Sequence, residues 1–178
     1  MPKTPDHLGG HIGVTHIDKG SLEYLNLLMG VNSVLDIGCG PGGMKKVCDA
    51  LNMTWTGIDG DPAVEDKVTL LHDYNNGPSP IEGRFDLGWC CAVLEHIEEQ
   101  YIPNVVKDLK KCKYLMVFPD DLDHGYHHVF CRNKKWWAEY FKKLGYERNT
   151  EVELELDKAT TMLKKRIWDL RMFFYADR

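Results

Sequence analysis

The sequence predicts an α/β domain built on one mostly parallel sheet, and three observations support this class. Short apolar segments of strand length alternate along the chain with longer segments of helical apolar spacing, a pattern typical of βα units. A glycine-rich loop follows the first of these strands and opens a helix. The length of 178 residues and the 43% hydrophobic composition suit a single domain, which we expect to cover residues 1–178.

The first predicted elements follow from local signals. Residues 1–17 are rich in glycine, histidine and proline and lack periodicity, so we expect a flexible lid or tail there. A helix capped by Asp18 or Ser21 then runs to about Met29 and ends at Gly30. The next predicted elements are a strand over 33–37, a helix over 44–51, and strands over 54–58, 68–71 and 85–90.

The second half of the chain continues this alternation and then changes in pattern. Residues 151–156 alternate glutamate with valine or leucine, which is the period of a strand with one exposed face. A further strand over 167–175 would pair with it as an antiparallel hairpin that closes the sheet. Before this hairpin we expect a mostly helical segment over 95–111, a buried strand over 114–118, a long loop over 119–133 and a helix over 134–144.

Composition argues against several classes of protein. No apolar segment approaches the roughly 18 residues that span a membrane, and the N-terminus lacks an apolar signal-peptide core. The six cysteines show no paired spacing, which indicates reduced thiols in a cytoplasmic protein. The net charge of −5 gives no general positive field, so nucleic acid is the less favoured partner and a small molecule the more favoured one.

A glycine loop follows the first predicted strand. Gly38, Gly40 and Gly43 fit the pattern G-x-G-x-x-G, which several nucleotide-binding folds share. Asp36 places a carboxylate beside this loop and would repel a pyrophosphate, and Pro41 removes one backbone N–H from it. A ligand with a cationic amine and a sulfonium, such as S-adenosyl-L-methionine, fits this site better.

Two more acids end the next two predicted strands. Asp59 is placed to accept hydrogen bonds from both hydroxyls of a ribose. Asp73 is placed to accept one from the amino group of an adenine, with Tyr74 against the ring. Turn formation is the alternative role for both acids, since each lies in a sequence that favours turns. Three acids at three consecutive strand ends are nevertheless a more specific pattern than the glycines alone.

These residues resemble the motifs of class I S-adenosylmethionine-dependent methyltransferases. Residues 36–42 resemble the first motif of that family, residues 57–59 the second, and residues 85–97 the fourth-strand motif. The resemblance implies a Rossmann-like three-layer fold with a seven-stranded, mostly parallel sheet and an antiparallel terminal strand. It also implies methyl transfer to a small molecule or accessible group by in-line displacement. The residues expected at the cofactor are Asp36, Gly38, Cys39, Gly40, Asp59, Gly60, Asp73, Tyr74 and Cys91.

Candidate catalytic residues follow the fourth and fifth predicted strands. Histidine titrates near neutral pH, so His124, His127 and His128 in the long loop are the candidate bases. Glu95 and His96 are expected to open the helix after the fourth strand, where a structural role is the favoured interpretation because a glutamate stabilises a helix N-terminus.

A metal site is the alternative for this region. The stretch resembles methyltransferases that modify the terminal 2′-hydroxyl of small RNAs, which carry a Glu-x-x-Glu-His segment and a later histidine-rich segment. That resemblance implies a divalent ion held by Glu95, His96 and His128, although Ala92 replaces the first glutamate of the motif. His124 or His127 would then have to supply a further ligand. The favoured expectation is a site that uses no metal.

Two other classes of protein remain as alternatives. A nicotinamide-dependent oxidoreductase would share the glycine pattern, but Asp36, Pro41 and the predicted terminal hairpin argue against it. A non-catalytic partner subunit would bind the same cofactor and activate another protein. The short chain, in which almost every residue is needed for strands and helices, disfavours this second alternative.

Overall fold

Seven strands form one sheet in the computed structural model, which describes residues 5–176. The strands are β1 (Ser33–Ile37), β2 (Thr54–Asp59), β3 (Leu70–Leu71), β4 (Phe85–Cys91), β5 (Cys112–Phe118), β6 (Tyr146–Arg148) and β7 (Met172–Ala176). Across the sheet they lie in the order β3-β2-β1-β4-β5-β7-β6. The pairs that β7 makes with β5 and β6 are antiparallel, and the other pairs are parallel. The predicted seven-stranded, mostly parallel sheet with an antiparallel terminal strand is confirmed.

Helices cover both faces of the sheet. They are α1 (Lys19–Met29), α2 (Gly43–Ala50), α3 (Ile102–Leu109), α4 (Lys134–Lys143), α5 (Thr150–Ala159) and α6 (Lys165–Asp169). Helices α3 and α4 pack on one face and the other four on the opposite face. In β5, Leu115 and Val117 lie in the first core while Met116 lies in the second, so the strand is buried on both sides. Among residues 5–176, no helix has the length and apolar character to cross a membrane.

Local capping signals determine where α1 begins and ends. The side chain of Asp18 accepts a hydrogen bond from the N–H of Ser21 at 3.1 Å. Gly30 adopts a left-handed conformation with φ 67°, and its N–H donates to the carbonyl oxygen of Leu25. Both ends of the predicted helix are therefore confirmed.

Helix α5 replaces the strand predicted over 151–156, and that prediction is wrong. Asn149 caps the helix, since its side chain accepts a hydrogen bond from a main-chain N–H of the first turn at 3.0 Å. Burial follows helical spacing: Glu153 and Leu156 are buried, whereas Leu154 is 62% exposed. The alternation of glutamate with apolar residues therefore does not separate a wet face from a dry one.

The antiparallel closure of the sheet is confirmed, but its partner strand and its connection differ from the prediction. Besides β5, β7 pairs with the short strand β6, which precedes α5 and takes the place of the strand predicted over 151–156. The strand predicted over 167–175 begins only at Met172, because α6 occupies the first part of that range. Residues 149–171 therefore connect the two strands through two helices rather than through a simple hairpin loop.

The segment after β4 also differs from its prediction. Two short 3₁₀ turns, Leu94–His96 and Glu99–Tyr101, precede α3 within the range 95–111 that was predicted as mostly helical. Pro103 lies in the first turn of α3, where its missing N–H costs no helical hydrogen bond. Glu95 therefore lies in a turn at the end of β4 and does not open the helix.

Candidate functional site

A cavity of about 740 Å³ lies at the carboxyl ends of the central strands. Parallel strands bring their carboxyl ends to one edge of the sheet, so residues that are distant in sequence meet there. Asp36 and Asp59 line the cavity from β1 and β2, Cys91 from β4, and Asp120 from the loop after β5. The cavity therefore occupies the place in the fold where a cofactor was predicted.

The glycine loop (residues 38–43) has its N–H groups engaged within the protein. Gly38 and Cys39 both donate to the carbonyl oxygen of Ile58, at 2.8 and 3.1 Å. Gly40 donates to the carboxylate that ends β2 at 2.7 Å. The last two donors are also used: Gly42 donates to the Cys39 carbonyl oxygen and Gly43 to the Thr15 hydroxyl. Since Pro41 has no N–H, the loop has few donors left for a phosphate.

Close packing explains why glycine is needed at the start of this loop. Gly38 has a positive φ of 66°, which side-chain-bearing residues rarely adopt. A Cβ atom there would also lie 2.2 Å from Cγ2 of Val93, a residue of the segment after β4. The loop and the end of β4 can therefore approach each other only without a side chain at this position.

Asp59 is held in place by the main chain on both sides. Its Oδ2 accepts from the N–H of Gly40 at 2.7 Å, and its Oδ1 accepts from the N–H of Asp61 at 2.9 Å. A carboxylate offers about four acceptor positions, so two remain. Because Asp59 also lines the cavity, these positions suit two neighbouring hydroxyl groups of a ligand.

Asp36 is buried at the end of β1, and its Oδ2 accepts a hydrogen bond from the indole N–H of Trp55 at 3.0 Å. Burial raises the pKa of this carboxyl group to about 7, the hydrogen bond from Trp55 opposes the shift, and the charge of Asp59 adds to it. Near neutral pH the group therefore changes readily between a neutral and a charged form.

Replacing Asp36 by asparagine is expected to stabilise the ligand-free fold at pH 8 by a few kcal/mol and to have little effect at pH 4. The folded pKa of about 7 exceeds the ordinary value of 3.8, so wild-type stability falls as pH rises between these values. Each pKa unit corresponds to about 1.4 kcal/mol. Denaturant unfolding of both proteins across this range measures the effect, and a difference that does not change with pH would contradict it.

Gly60, Asp73 and Tyr74, all predicted at the cofactor, are not among the residues that line the cavity. The Oδ1 of Asp73 accepts from the N–H of Asn75 at 2.9 Å, which is the turn role weighed for this residue. The phenol of Tyr74 donates to Oδ2 of Asp108 at 2.8 Å within the core. The side chain of Tyr74 is thus occupied in packing.

The N-terminal segment packs across this edge of the sheet. Nε2 of His7 lies 2.9 Å from Oδ2 of Asp73, and Nε2 of His11 lies 3.1 Å from Oδ2 of Asp61. Residues 7–12 and 14–16 also line the cavity. Residues 1–4 of the predicted lid or tail lie outside the described residues, and the described remainder contacts the segments after β2 and β3 and covers part of the site.

The three candidate bases in the long loop have different surroundings. His124 and His128 line the cavity, whereas His127 does not, and Nε2 of His127 is buried without a hydrogen-bond partner among residues 5–176. Nδ1 of His128 lies 2.7 Å from the carbonyl oxygen of Leu122. Because a carbonyl only accepts, Nδ1 carries a proton, so the lone pair of the neutral ring lies on Nε2.

Glu95 is buried beside the cavity, and neither of its carboxylate oxygens has a hydrogen-bond partner in the described part of the chain. Burial raises the pKa of this carboxyl to about 8. The main-chain N–H groups of Glu95 and Asp120 oppose this shift, although neither reaches hydrogen-bonding geometry. With this pKa the carboxyl group is mostly protonated at neutral pH, and its two oxygens could accept a hydrogen bond or bind a cation.

Two histidines lie beside this carboxyl group. Burial and, to a smaller extent, the neighbouring His128 lower the pKa of His96 to about 4, so His96 is a neutral imidazole at neutral pH. The two rings are nearly perpendicular, with centroids 4.8 Å apart. One candidate ligand atom from each of Glu95, His96 and His128 lies within 4.8 Å of the others. The structure thus brings together the three residues of the metal alternative, while Ala92, which replaces the first glutamate of the motif, has no side-chain ligand atom.

Cys39 and Cys91 line the cavity as neutral thiols. Burial raises the pKa of both thiols above its ordinary range, and negative charge nearby adds to the effect. Neither side chain therefore supplies a thiolate, and the predicted contact with the cofactor would be made by the main chain or by a neutral sulfur.

The sequence analysis missed one part of the site. Lys164, Arg166 and Ile167 line the cavity from the connection between α5 and β7. This connection was assigned to a hairpin, so its side chains were not considered. The available signal was the run of three consecutive cations over 164–166 in an acidic chain.

The fold is that of the class I S-adenosylmethionine-dependent methyltransferases. The plantazolicin methyltransferase BpumL in complex with SAH is 16% identical, with a TM-score of 0.57 over 89% of this chain and 81% of that one. A SAM-dependent methyltransferase from Archaeoglobus fulgidus is 16% identical, with a TM-score of 0.57 over 90% and 92%. The methyltransferase domain of bacterial CtHen1-CN is 14% identical, with a TM-score of 0.59 over 89% and 96%. At these identities the comparisons establish the fold.

Comparison of sequences, unlike comparison of structures, finds no significant match for this chain among family models or curated proteins.

Proposed function

We propose that this protein is an enzyme that transfers a methyl group from S-adenosyl-L-methionine to an acceptor bound in the same cavity. The observation that carries the proposal is the glycine loop, whose N–H groups are already engaged and whose acidic neighbours, Asp36 and Asp59, line the cavity. Such a site favours a cationic ligand with free hydroxyls over a pyrophosphate. The fold shared with methyltransferases, one of them with SAH bound, supports the same cofactor.

The proposed arrangement of the cofactor follows from the acids. Asp59 would accept from the two ribose hydroxyls, using the positions that its main-chain contacts leave open. Asp36 would face the positive amine, whose charge favours the ionised carboxylate. Asp73 would reach the adenine amino group only if His7, now 2.9 Å from its carboxylate, moved aside.

Catalysis would rest mainly on alignment. An in-line displacement at a sulfonium gains about 7–11 kcal/mol from holding acceptor and methyl group in the correct geometry. A base is needed only for an acceptor that must lose a proton. His124 and His128 are the proposed candidates because they line the cavity, and Nε2 of His128 keeps its lone pair for this purpose.

Calorimetric titration with S-adenosyl-L-methionine, S-adenosylhomocysteine and NAD tests the proposed cofactor. We expect both adenosyl compounds to bind with one-to-one stoichiometry and NAD not to bind. Binding of NAD alone would overturn the proposal. Transfer of a labelled methyl group to a panel of small-molecule acceptors then tests the activity, and cofactor binding without any transfer would favour the non-catalytic partner subunit.

A second candidate function is methyl transfer assisted by a divalent metal. Its specific support is the unpartnered carboxyl group of Glu95 beside His96 and His128, whose ligand atoms already cluster within 4.8 Å. The hydrogen bond that orients His128 is typical of a metal-ligating histidine. A bound cation would act as a Lewis acid toward the acceptor oxygen. The resemblance of this stretch to enzymes acting on RNA 2′-hydroxyl groups suggests a hydroxyl acceptor.

Replacing Glu95 by glutamine or His128 by alanine is expected to weaken binding of Mn²⁺ or Zn²⁺ by at least about tenfold, since loss of one of three protein ligands removes a charge or a donor. Calorimetry on protein stripped with EDTA measures this affinity. Asp123→Asn is the matched control, because this acid lies in the same loop with a side chain 97% exposed. Absence of one-to-one binding by the wild type, or an equal loss in the control, would exclude the metal.

A further inference from the structure

Residues 160–166, which comprise the connection between α5 and α6 and the first two residues of α6, are fixed at both ends. The buried carboxylate of Asp18 accepts from the hydroxyl of Thr160 and from the N–H of Thr161, each at 2.8 Å. At the other end, the guanidinium of Arg166 donates to Asp120 at 2.6 Å. These contacts join the segment to α1 and to the loop after β5, so they hold it against the cavity wall.

The three consecutive cations of this segment differ in their partners. Lys165 forms an ion pair with Asp169 at 2.7 Å, and Arg166 forms ion pairs with Asp120 and Asp121. The ammonium group of Lys164 forms no hydrogen bond or ion pair with any residue between 5 and 176, yet Lys164 lines the cavity. The cavity wall therefore carries one positive charge that the described protein does not compensate.

A neighbouring histidine supports this placement of the charge. His16 also lines the cavity, and its pKa is lowered by burial and by the positive charge of Lys164. Asp120, the acid of this wall, is already paired with Arg166. The ammonium group of Lys164 and the neutral ring of His16 thus border a common space.

We propose that the methyl acceptor carries an anionic group, a phosphate or a carboxylate, that pairs with Lys164. This inference rests on the proposed function, because the sulfonium of the cofactor would add a second positive charge to the same cavity. Asp36 and Asp59 are assigned to the cofactor and Asp120 is paired with Arg166, so an anionic group of the acceptor is the partner that would neutralise Lys164. Lys164 is then a specificity-determining residue and takes no part in the transfer of the methyl group.

Anion binding is measured by NMR from the ring resonances of His16 during titration with inorganic phosphate and, separately, with acetate. Ionic strength is held constant with chloride, and the titrations are run with and without saturating S-adenosylhomocysteine. We expect a saturable shift in the wild type and an at least tenfold weaker affinity in Lys164→Met. Lys165→Met is the matched control, since this neighbour is paired with Asp169 and does not line the cavity; it should bind as the wild type does.

The outcomes separate the two proposals. A titration without a saturable shift for either anion, or an equal loss in Lys165→Met, overturns the anionic acceptor. Stronger binding of phosphate than acetate identifies a phosphate-bearing acceptor, and the reverse identifies a carboxylate. Failure of S-adenosylhomocysteine to bind instead contradicts the proposed function, and the titration without it still reports on Lys164.

Discussion

Replacing Asp59 by alanine is expected to weaken the binding of S-adenosyl-L-methionine by at least about a hundredfold. In the proposed complex the carboxylate accepts from two ribose hydroxyls, and a hydrogen bond to a charged group contributes about 1.5–3 kcal/mol. Since about 1.4 kcal/mol corresponds to a factor of ten, loss of both bonds exceeds a factor of one hundred. Calorimetric titration of the variant with the cofactor measures this change.

The same substitution also removes acceptors from the main chain. The N–H groups of Gly40 and Asp61 lose their carboxylate partner, so thermal unfolding must show that the variant still folds. Asp66→Ala is the matched control, because this exposed acid lies in the turn that follows β2. Wild-type affinity in Asp59→Ala, or an equal loss in Asp66→Ala, would remove Asp59 from the proposed cofactor site.

Replacing Asp18 by alanine is expected to lower the free energy of unfolding by about 3–5 kcal/mol, the usual result of breaking a buried charged network. The side chain is fully buried and accepts hydrogen bonds from Ser21, Thr160 and Thr161. Alanine leaves these donors without a partner in a dry environment. A domain of this size loses about 2–4 °C in Tm for each kcal/mol, so we expect a decrease of roughly 10 °C.

Urea denaturation and calorimetric melting measure the effect of the Asp18 substitution. Asp49→Ala is the control, since Asp49 is an exposed helical acid whose ion pair with Lys45 is open to solvent. Its stability should hardly change. If the two variants were equally stable, Asp18 would not hold residues 160–161 against α1, and the placement of Lys164 would lose its support.

Sequence patterns were sufficient for the core of the fold and for the cofactor side of the cavity. Asp36 and Asp59 each lie at the end of an apolar strand, the glycine loop directly follows the first of these strands, and parallel strands must bring their carboxyl ends to one edge. These features depend on local spacing and on one general rule of topology. They could therefore be placed at the cavity without coordinates, although their contact with the cofactor remains a proposal.

Local pattern was insufficient over 151–156, where the residues fit both the period of a strand and that of a helix. Alternation over 151–156 suits a strand, but Asn149 offers a helix cap, and Glu153 accepts from Arg148 and from the N–H of Phe173 in β7. Phe173 belongs to a strand that the sequence does not show to be close to Glu153. The helix is favoured because it allows these hydrogen bonds to form, and the bond to Phe173 exists only in the tertiary structure.

The sequence by itself determined a single α/β sheet with an antiparallel closure, a glycine loop and acidic strand ends suited to a cationic cofactor. Only the tertiary structure brought Glu95 and His96 together with His128, and placed the ammonium group of Lys164 at the cavity wall with no partner in the described residues 5–176. The physical reason is that burial and pairing depend on contacts between distant segments. Sheet order and helix packing set these contacts, whereas local spacing sets the elements themselves.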